Sequence, residues 1–187
     1  TRSLLLAVVA LHALAGCSIL GSEQRDPVTI YAPRPQVATD PSWPTVAWQL
    51  SVGRPTAPRV VDSPRIAVRP VPGELQIYRG ASWSQPSTDL TDSTVLRALE
   101  DSGRIPAVAR DGSGLRADYK LVMDLRRFES DYAGVAIPSA TIELTAKLLH
   151  ASDQRIVASR TFLQVQPSSG TEMAQVANAF DQALGKL

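Results

Sequence analysis

The sequence predicts an α+β fold in which a mainly antiparallel sheet packs against two helices. Alternating apolar and polar residues predict a series of strands, three of them long, in the second half of the chain. Helical periodicity replaces this alternation in two places, once in the middle of the chain and once at the end. The order is therefore strands, helix, strands, helix, which is typical of a sheet with both helices packed against it.

The strand predictions depend on residues that alternate with a period of two. Short strands are predicted at 46–52, 65–69, 74–79 and 105–110, with one extended piece at 28–32. The long ones are predicted at 119–126, 141–148 and 155–166. The turn Ser152-Asp153-Gln154 is short enough for a hairpin between the last two. Clean alternation in these three strands indicates an antiparallel meander with one covered face.

Two helices are predicted from apolar stripes and end signals. The first runs from Thr88 to Ser102, with Thr88 or Thr91 as the cap and Gly103 after its end. The second follows Ser169 and Glu172, whose spacing is that of a capping box. Its apolar stripe consists of Met173, Val176, Ala177, Phe180 and Leu184.

The first seventeen residues predict export and lipidation. Residues 3–15 are almost wholly apolar, and about 13 residues are too few to cross a bilayer core but suit a secretory signal. The run ends Leu14-Ala15-Gly16-Cys17, which resembles the bacterial lipobox. We therefore expect a signal peptide at 1–16 and a covalent lipid on Cys17, which anchors the protein without spanning the membrane. Ser18 stands where Asp would signal inner-membrane retention, which favours the periplasmic face of the outer membrane.

The composition of the mature chain indicates a tether followed by a single domain, and its charge argues against nucleic acid as a partner. Residues 17–44 are rich in Pro, Ser, Asp and Thr and are predicted to form a tether, with a single α+β domain at 45–187. The chain has 19 basic and 18 acidic side chains, and removal of residues 1–16 takes away Arg2. The balance is then zero without a basic cluster, so no nucleic-acid binding is expected.

The sequence carries no recognisable catalytic motif. His150 is the single histidine after residue 16, no serine occupies a G-x-S-x-G elbow, and Gly112-Ser113-Gly114 is better explained as a turn than as a phosphate loop. The acidic residues Asp89, Asp92 and Asp101 suit helix caps and solvent-facing positions better than a metal site. We therefore predict no enzyme activity, no metal and no cofactor apart from the covalent lipid.

Four residues are candidates for partner contacts. Trp83 lies between a predicted strand and a predicted helix, where it either fills the seam between them or stands in an interface. Tyr132, Val135 and Ile137 belong to a weakly polar loop between two strands. This loop is predicted to be an apolar contact surface.

Several segments resemble one known family. The segments Asp62–Arg69, Leu75–Tyr78, Ala81–Ser84, Ala117–Leu121 and Leu125–Glu129, in this order and after a lipobox, are similar to those of the ABC-type transport auxiliary lipoproteins, the PqiC-like family. The resemblance covers about residues 28–187. It implies a fold like the N-terminal domain of TolB, no catalytic residues, and self-association into a ring. It also implies two partners, a mammalian-cell-entry (MCE) domain protein and an inner-membrane ABC transporter or permease.

Two functions of different classes follow. The first is a non-catalytic accessory of intermembrane lipid transport that docks an MCE protein at the outer membrane. The second is a structural or assembly lipoprotein of the cell envelope without a transport role. Neighbouring genes for a permease and an MCE protein would favour the first.

Overall fold

The computed structural model describes residues 27–187, which form one eight-stranded sheet and two helices. The predicted signal peptide, the lipobox and Cys17 lie outside the described residues. The strands are β1 (Thr29–Tyr31), β2 (Leu50–Val52), β3 (Arg65–Arg69), β4 (Gln76–Trp83), β5 (Val108–Arg110), β6 (Tyr119–Asp131), β7 (Ser139–His150) and β8 (Ile156–Pro167). The helices are α1 (Ser87–Asp101) and α2 (Met173–Lys186).

The long strand β6 organises the sheet. On one side it pairs with β7, and β7 pairs with β8, all antiparallel, which confirms the predicted meander. On the other side two short strands run parallel to it, β2 beside its first residues and β3 beside its last. Strands β4 and β1 extend the sheet beyond β3, and β5 extends it beyond β2. The predicted α+β class is therefore correct, and the short strands add parallel pairs to it.

The register of the meander explains its alternation. Leu121 lies opposite Leu148, and Leu125 lies opposite Leu144, so that apolar residues share one face. A bulge between Leu125 and Arg127 shifts the pairing by one residue. It bends β6 at the point where the partner strand on its other side changes from β2 to β3.

One predicted strand is much shorter than expected. Alternation over 46–52 predicted seven paired residues, yet only Leu50–Val52 pair with neighbours. Trp48 packs edge-on against Tyr119, with ring centroids 4.9 Å apart. The alternation before residue 50 thus reflects side-chain packing rather than a strand.

The helices agree with the predicted positions, but their first residues are fixed differently. Helix α1 follows Pro86 without a side-chain cap; Thr88 instead donates to Asp62, with 2.7 Å between Oγ1 and Oδ1. In α2 the capping box joins Glu172 and Gln175, not Ser169 and Glu172. The box lies one turn later because Glu172, with extended backbone angles, is itself the residue before the helix.

The core lies between the helices and the sheet. Phe128 of β6 stacks on Phe180 of α2 with centroids 4.8 Å apart, and Trp83 of β4 meets both rings edge-on. Aliphatic side chains from β2, β3, β6, β7 and both helices surround these rings. Such packing fixes α2 across the sheet.

Part of the predicted tether lies on the domain. Thr29–Tyr31 pair in parallel with β4, and Tyr31 O accepts a hydrogen bond from Ser84 N at 2.8 Å. From Tyr31 to Val37 alternate residues are half-buried, as expected for an extended segment with one face against the protein. Among the described residues, no helix is both long and apolar enough to cross a membrane.

Candidate functional site: the apolar end of the sheet

Three connections of the sheet meet at one end. Strand β3 ends beside the last residues of β6, and Tyr132 N donates to Arg69 O at 3.0 Å. The turn at 70–75 and the loop at 132–138 therefore lie next to each other. Strand β8 ends there as well, because Pro167 lies opposite Ser139.

Several exposed apolar side chains lie at or near this end of the sheet. Val135 is 63% exposed and Ile137 is 49% exposed in the loop, and Leu163 and Val165 of β8 are each 55% exposed. We call this surface the apolar end; its residues are Val71, Leu75, Val135, Ile137, Leu163 and Val165. Exposed apolar groups that lie together mark interaction surfaces more often than isolated ones do.

The backbone of the loop projects Val135 outward. Ala133 and Gly134 both have positive φ, 48° and 81°. Asp131 Oδ1 accepts a hydrogen bond from Ala133 N at 2.9 Å, and Val135 N donates to Tyr132 O at 2.8 Å. Glycine at position 134 allows this left-handed turn at little cost. Tyr132 is half-buried where the loop begins, whereas Val135 and Ile137 are the exposed apolar side chains that the loop offers to a partner.

A network of charged side chains lies under the apolar end. Glu129, with a side chain 3% exposed, accepts two hydrogen bonds from Arg69, at 2.8 and 2.9 Å. Arg127 donates to both Glu129 and Asp131. Hydrogen bonding to Glu129 raises the pKa of Arg69. Burial alone would lower the pKa of Arg127, but its bonds to the two carboxylates raise it. The network ties β3 to β6 where both chains leave the sheet.

Tyr78 of β4 lies beside this network. Its hydroxyl lies 3.1 Å from Ser130 Oγ, and burial raises its pKa to about 12. The phenol is therefore neutral in the folded protein at any ordinary pH. It links β4 to β6 through an uncharged hydrogen bond.

Trp83 is not part of this surface. Its side chain is 2% exposed and lies 5.0 Å from the ring of Phe180, centroid to centroid. The interpretation of Trp83 as a residue of the strand–helix seam is correct, and its choice as a partner contact is wrong. A ring enclosed by the core has no surface to offer a partner.

The family comparison assigns this domain. The sequence model of the ABC-type transport auxiliary lipoprotein component matches residues 29–187, which is nearly all of the described chain. The chain belongs to this family. The resemblance found in the sequence is thereby confirmed. The family is one of auxiliary components and not a class of enzymes.

Related proteins agree with the fold of this auxiliary lipoprotein. The crystal structure of protein XCC0632 from Xanthomonas campestris is 62% identical, with a TM-score of 0.82 over 85% of this chain and 89% of that one. A second crystal structure, of an uncharacterized protein, shares the fold at 15% identity and a TM-score of 0.60, over 86% and 93% of the chains. An uncharacterized protein of Bradyrhizobium diazoefficiens is 25% identical over 147 residues, 79% of this chain. The chain spans about two fifths, 39%, of that relative's length.

One polar cluster of this auxiliary lipoprotein superficially resembles a catalytic triad. His150 Nδ1 lies 3.1 Å from both Ser152 Oγ and Asp153 Oδ1 in an exposed turn. A Ser-His-Asp triad uses the two ring nitrogens for different partners, whereas both contacts here reach the same nitrogen. Within residues 27–187, no three His, Cys, Asp or Glu side chains converge as metal ligands.

Sequence reasoning identified only part of the apolar end. The composition of the loop at 132–138 predicted a contact surface there, whereas Val71, Leu75, Leu163 and Val165 were not predicted to belong to it. Leu163 and Val165 alternate with Phe162 and Gln164 as in any half-buried strand, so their sequence gives no signal of exposure. They are exposed because they lie on the face of β8 that points away from the core and because, among the described strands, β8 has a neighbour on one side only.

Proposed function

We propose that this protein is a non-catalytic lipoprotein of the outer membrane that docks a periplasmic MCE-domain protein of an ABC-type transport system. The family match over residues 29–187 carries the proposal, since an auxiliary component acts by binding other components. The MCE partner and the outer-membrane position come from the sequence resemblance and from Ser18. The apolar end is the surface that we assign to the partner.

The construction of the apolar end supports this assignment. Exposed aliphatic residues supply the apolar centre that specific interfaces need. The network of charged side chains around Glu129 gives the loop a fixed position. A loop that is already ordered loses little conformational freedom on binding. The Glu129 network and the turn at Ala133–Gly134 both contribute to this order.

The anchor supports the proposal through proximity. From Cys17 to Thr29, where the domain begins, there are 12 residues. Such a chain reaches at most about 43 Å, because an extended residue spans up to about 3.6 Å. Tethering holds the domain in a layer along the membrane and raises its effective concentration for a partner that arrives from the opposite membrane.

Self-association into a ring is part of the proposal. Among the described strands β8 pairs with β7 alone, so its other edge carries backbone groups that can pair with another chain, and β8 runs for 12 residues. A head-to-tail contact of this edge with a different surface of a second copy would close into a ring. Sedimentation of the full-length lipoprotein in detergent should give a species several times the monomer mass; a monomer would remove the ring from the proposal.

The docking proposal is tested with two matched double variants of the full-length lipoprotein. Val135→Asp with Ile137→Asp alters the apolar end. Ile156→Asp with Val157→Asp alters exposed apolar residues of the same chemistry at the other end of β8. After purification from cells in detergent, the partners recovered with each protein are identified by mass spectrometry.

The first variant should lose the MCE protein and the second should retain it. Loss of a central apolar anchor weakens an interface by about thirtyfold or more, roughly 2 kcal/mol. Equal recovery of the MCE protein with both variants would remove the apolar end from the proposal. Recovery by the wild type of cell-wall or secretion components alone would favour a structural or assembly lipoprotein instead.

A further inference from the structure

A separate apolar cavity of about 680 Å³ lies between the helices and the other end of the sheet. Its floor is formed by β6 and β7, its sides by α1 and the end of α2, and its cover by the segment 37–43. Phe162 of β8 also lines the cavity, whereas its neighbour Leu163 belongs to the apolar end; the two sites therefore lie on opposite faces of β8, because successive side chains of a strand point to opposite faces. The residues that define it best are Val95, Leu99, Leu121, Met123, Leu144 and Ala146.

The cavity is lined mainly by apolar side chains. Leu121, Ala146 and Leu99 are only half-buried, although each belongs to an otherwise covered face. The buried oxygens without a hydrogen-bond partner in the described chain belong to Asp92 and Asp181, and neither residue lines the cavity. Among the described residues that line the cavity, the polar side-chain groups are the ammonium of Lys186 and the indole N–H of Trp43, so a polar group of a ligand held away from these two would be unsatisfied.

The cover of the cavity is fastened at both ends. At one end it passes so close to α2 that a Cβ on Gly185 would lie 2.5 Å from Gln36 O. At the other end Arg104 Nη2 donates to Pro41 O at 2.9 Å. Trp43, which follows, also lines the cavity. The cavity is thus bounded by ordered contacts of the chain and not by a free segment.

The volume of the cavity and the residues around it limit the kinds of ligand that it can bind. The volume is within the range of small-molecule sites, roughly 300–1,000 Å³. It is about four and a half times the roughly 150 Å³ that accommodates a benzene ring, which leaves room for one chain of about 16–18 carbons. Lys186 is the charged side chain among the residues lining the cavity; it is exposed at the rim, where its ammonium donates one hydrogen bond, to Gln166 Oε1 at 2.6 Å, and has two further donors. An ammonium group there suits a carboxylate or phosphate at the end of such a chain.

We propose that this cavity binds a single acyl chain of a lipid, with the chain between α1, α2 and the sheet and its anionic group near Lys186. The tether holds the cavity within reach of a membrane, where acyl chains are abundant. Two sources share this chemistry, a lipid taken from the membrane and the acyl group on Cys17 of the same protein. The inference does not depend on the apolar end, so either proposal can fail without the other.

The test uses the full-length lipoprotein in living cells. Cells are grown with a palmitate analogue that carries a diazirine and an alkyne, which enters the lipid pool; they are irradiated, and the purified protein is digested with trypsin. The peptide Leu121–Arg126 forms the floor of the cavity and Ala98–Arg104 forms one side, so both should carry the adduct. The mass of the adduct identifies its source, because the Cys17 acyl group would join the peptide to the N-terminal lipopeptide.

Two variants and one control make the result decisive. Ala146→Trp fills the floor and should lower labelling of Leu121–Arg126 by about tenfold or more, whereas Ala158→Trp, at an exposed position of β8, should not change it. If Ala146→Trp lowers the melting temperature, Leu99→Gln, which adds a polar group to the side wall, decides in its place. Wild-type labelling of Leu121–Arg126 that is no stronger than in these cavity variants would overturn the proposal. So would equal labelling of all surface peptides.

Discussion

Arg54 joins three polar side chains at the beginning of helix α1. Its guanidinium donates to Asp62 at 2.8 Å, to Asp89 at 2.6 Å and to Thr88 Oγ1 at 2.6 Å. These bonds connect the loop after β2 to the first turn of the helix. Asp89 in that turn also complements the helix dipole. The bond from Arg54, followed by that from Thr88, lowers the pKa of Asp62 below its usual value.

At the residue scale, the lowered pKa of Asp62 predicts that the stability of the protein depends on pH. A carboxylate whose folded pKa is depressed stabilises the protein above its unfolded pKa, and this contribution is lost as the pH falls through the folded value. We therefore expect the wild type to lose more stability than Arg54→Gln between about pH 5 and pH 3. Thermal melting over this range measures it. Parallel curves for the two proteins would contradict the role given to Asp62, since Asp40 and Asp153, whose pKa values are also lowered, are present in both.

At the element scale the three long strands and β3 were predicted, whereas β2 and β5 contain half or fewer of the residues predicted for them. Strands β6, β7 and β8 alternate over 12 or 13 residues and are joined by local turns, so the signal is present in one continuous stretch. Strands β2 and β5 contribute three residues each and are held by parallel neighbours that are distant in sequence. Such pairing depends on the finished sheet. The same holds for β8, whose exposure follows from its place at the edge.

At the element scale, the register of β7 predicts which substitutions on this strand destabilise the domain. Leu144 is 3% exposed and faces the core, whereas Lys147 is exposed on the same strand. Leu144→Asp should unfold the domain, because an unpaired buried carboxylate costs several kcal/mol. Lys147→Ala should change the free energy of unfolding by less than about 0.5 kcal/mol. Equal melting temperatures for both variants would show that this register is wrong.

At the scale of the whole molecule, anchoring and recognition are separate properties. Cys17→Ala should abolish incorporation of a labelled fatty acid and remove the protein from outer-membrane fractions, because the thiol is the expected attachment point. Undiminished label in this variant would contradict lipidation at Cys17. Ser18→Asp should shift the protein to the inner membrane. If it does not, the outer-membrane position loses its support while the lipid anchor is unaffected.

The docking surface is the central claim for the molecule as a whole, and its residues were only partly visible in the sequence. Val135 and Ile137 were predicted from a weakly polar loop, whereas Val71 and Leu75 join them only because β3 ends beside β6. Patches of this kind are assembled by topology, which a sequence pattern does not encode. Trp83 shows the converse, an aromatic residue whose position suggested an interface and whose ring fills the core.

Site-specific photocrosslinking in living cells tests the docking claim most directly. A photoreactive amino acid is placed at Ile137 of the full-length lipoprotein or, as the control, at Val157, an exposed apolar residue at the other end of β8. We expect an adduct with an MCE-domain protein from Ile137 and none from Val157. An equal MCE adduct from both positions, or an Ile137 adduct with cell-wall or secretion components alone, would contradict the docking claim.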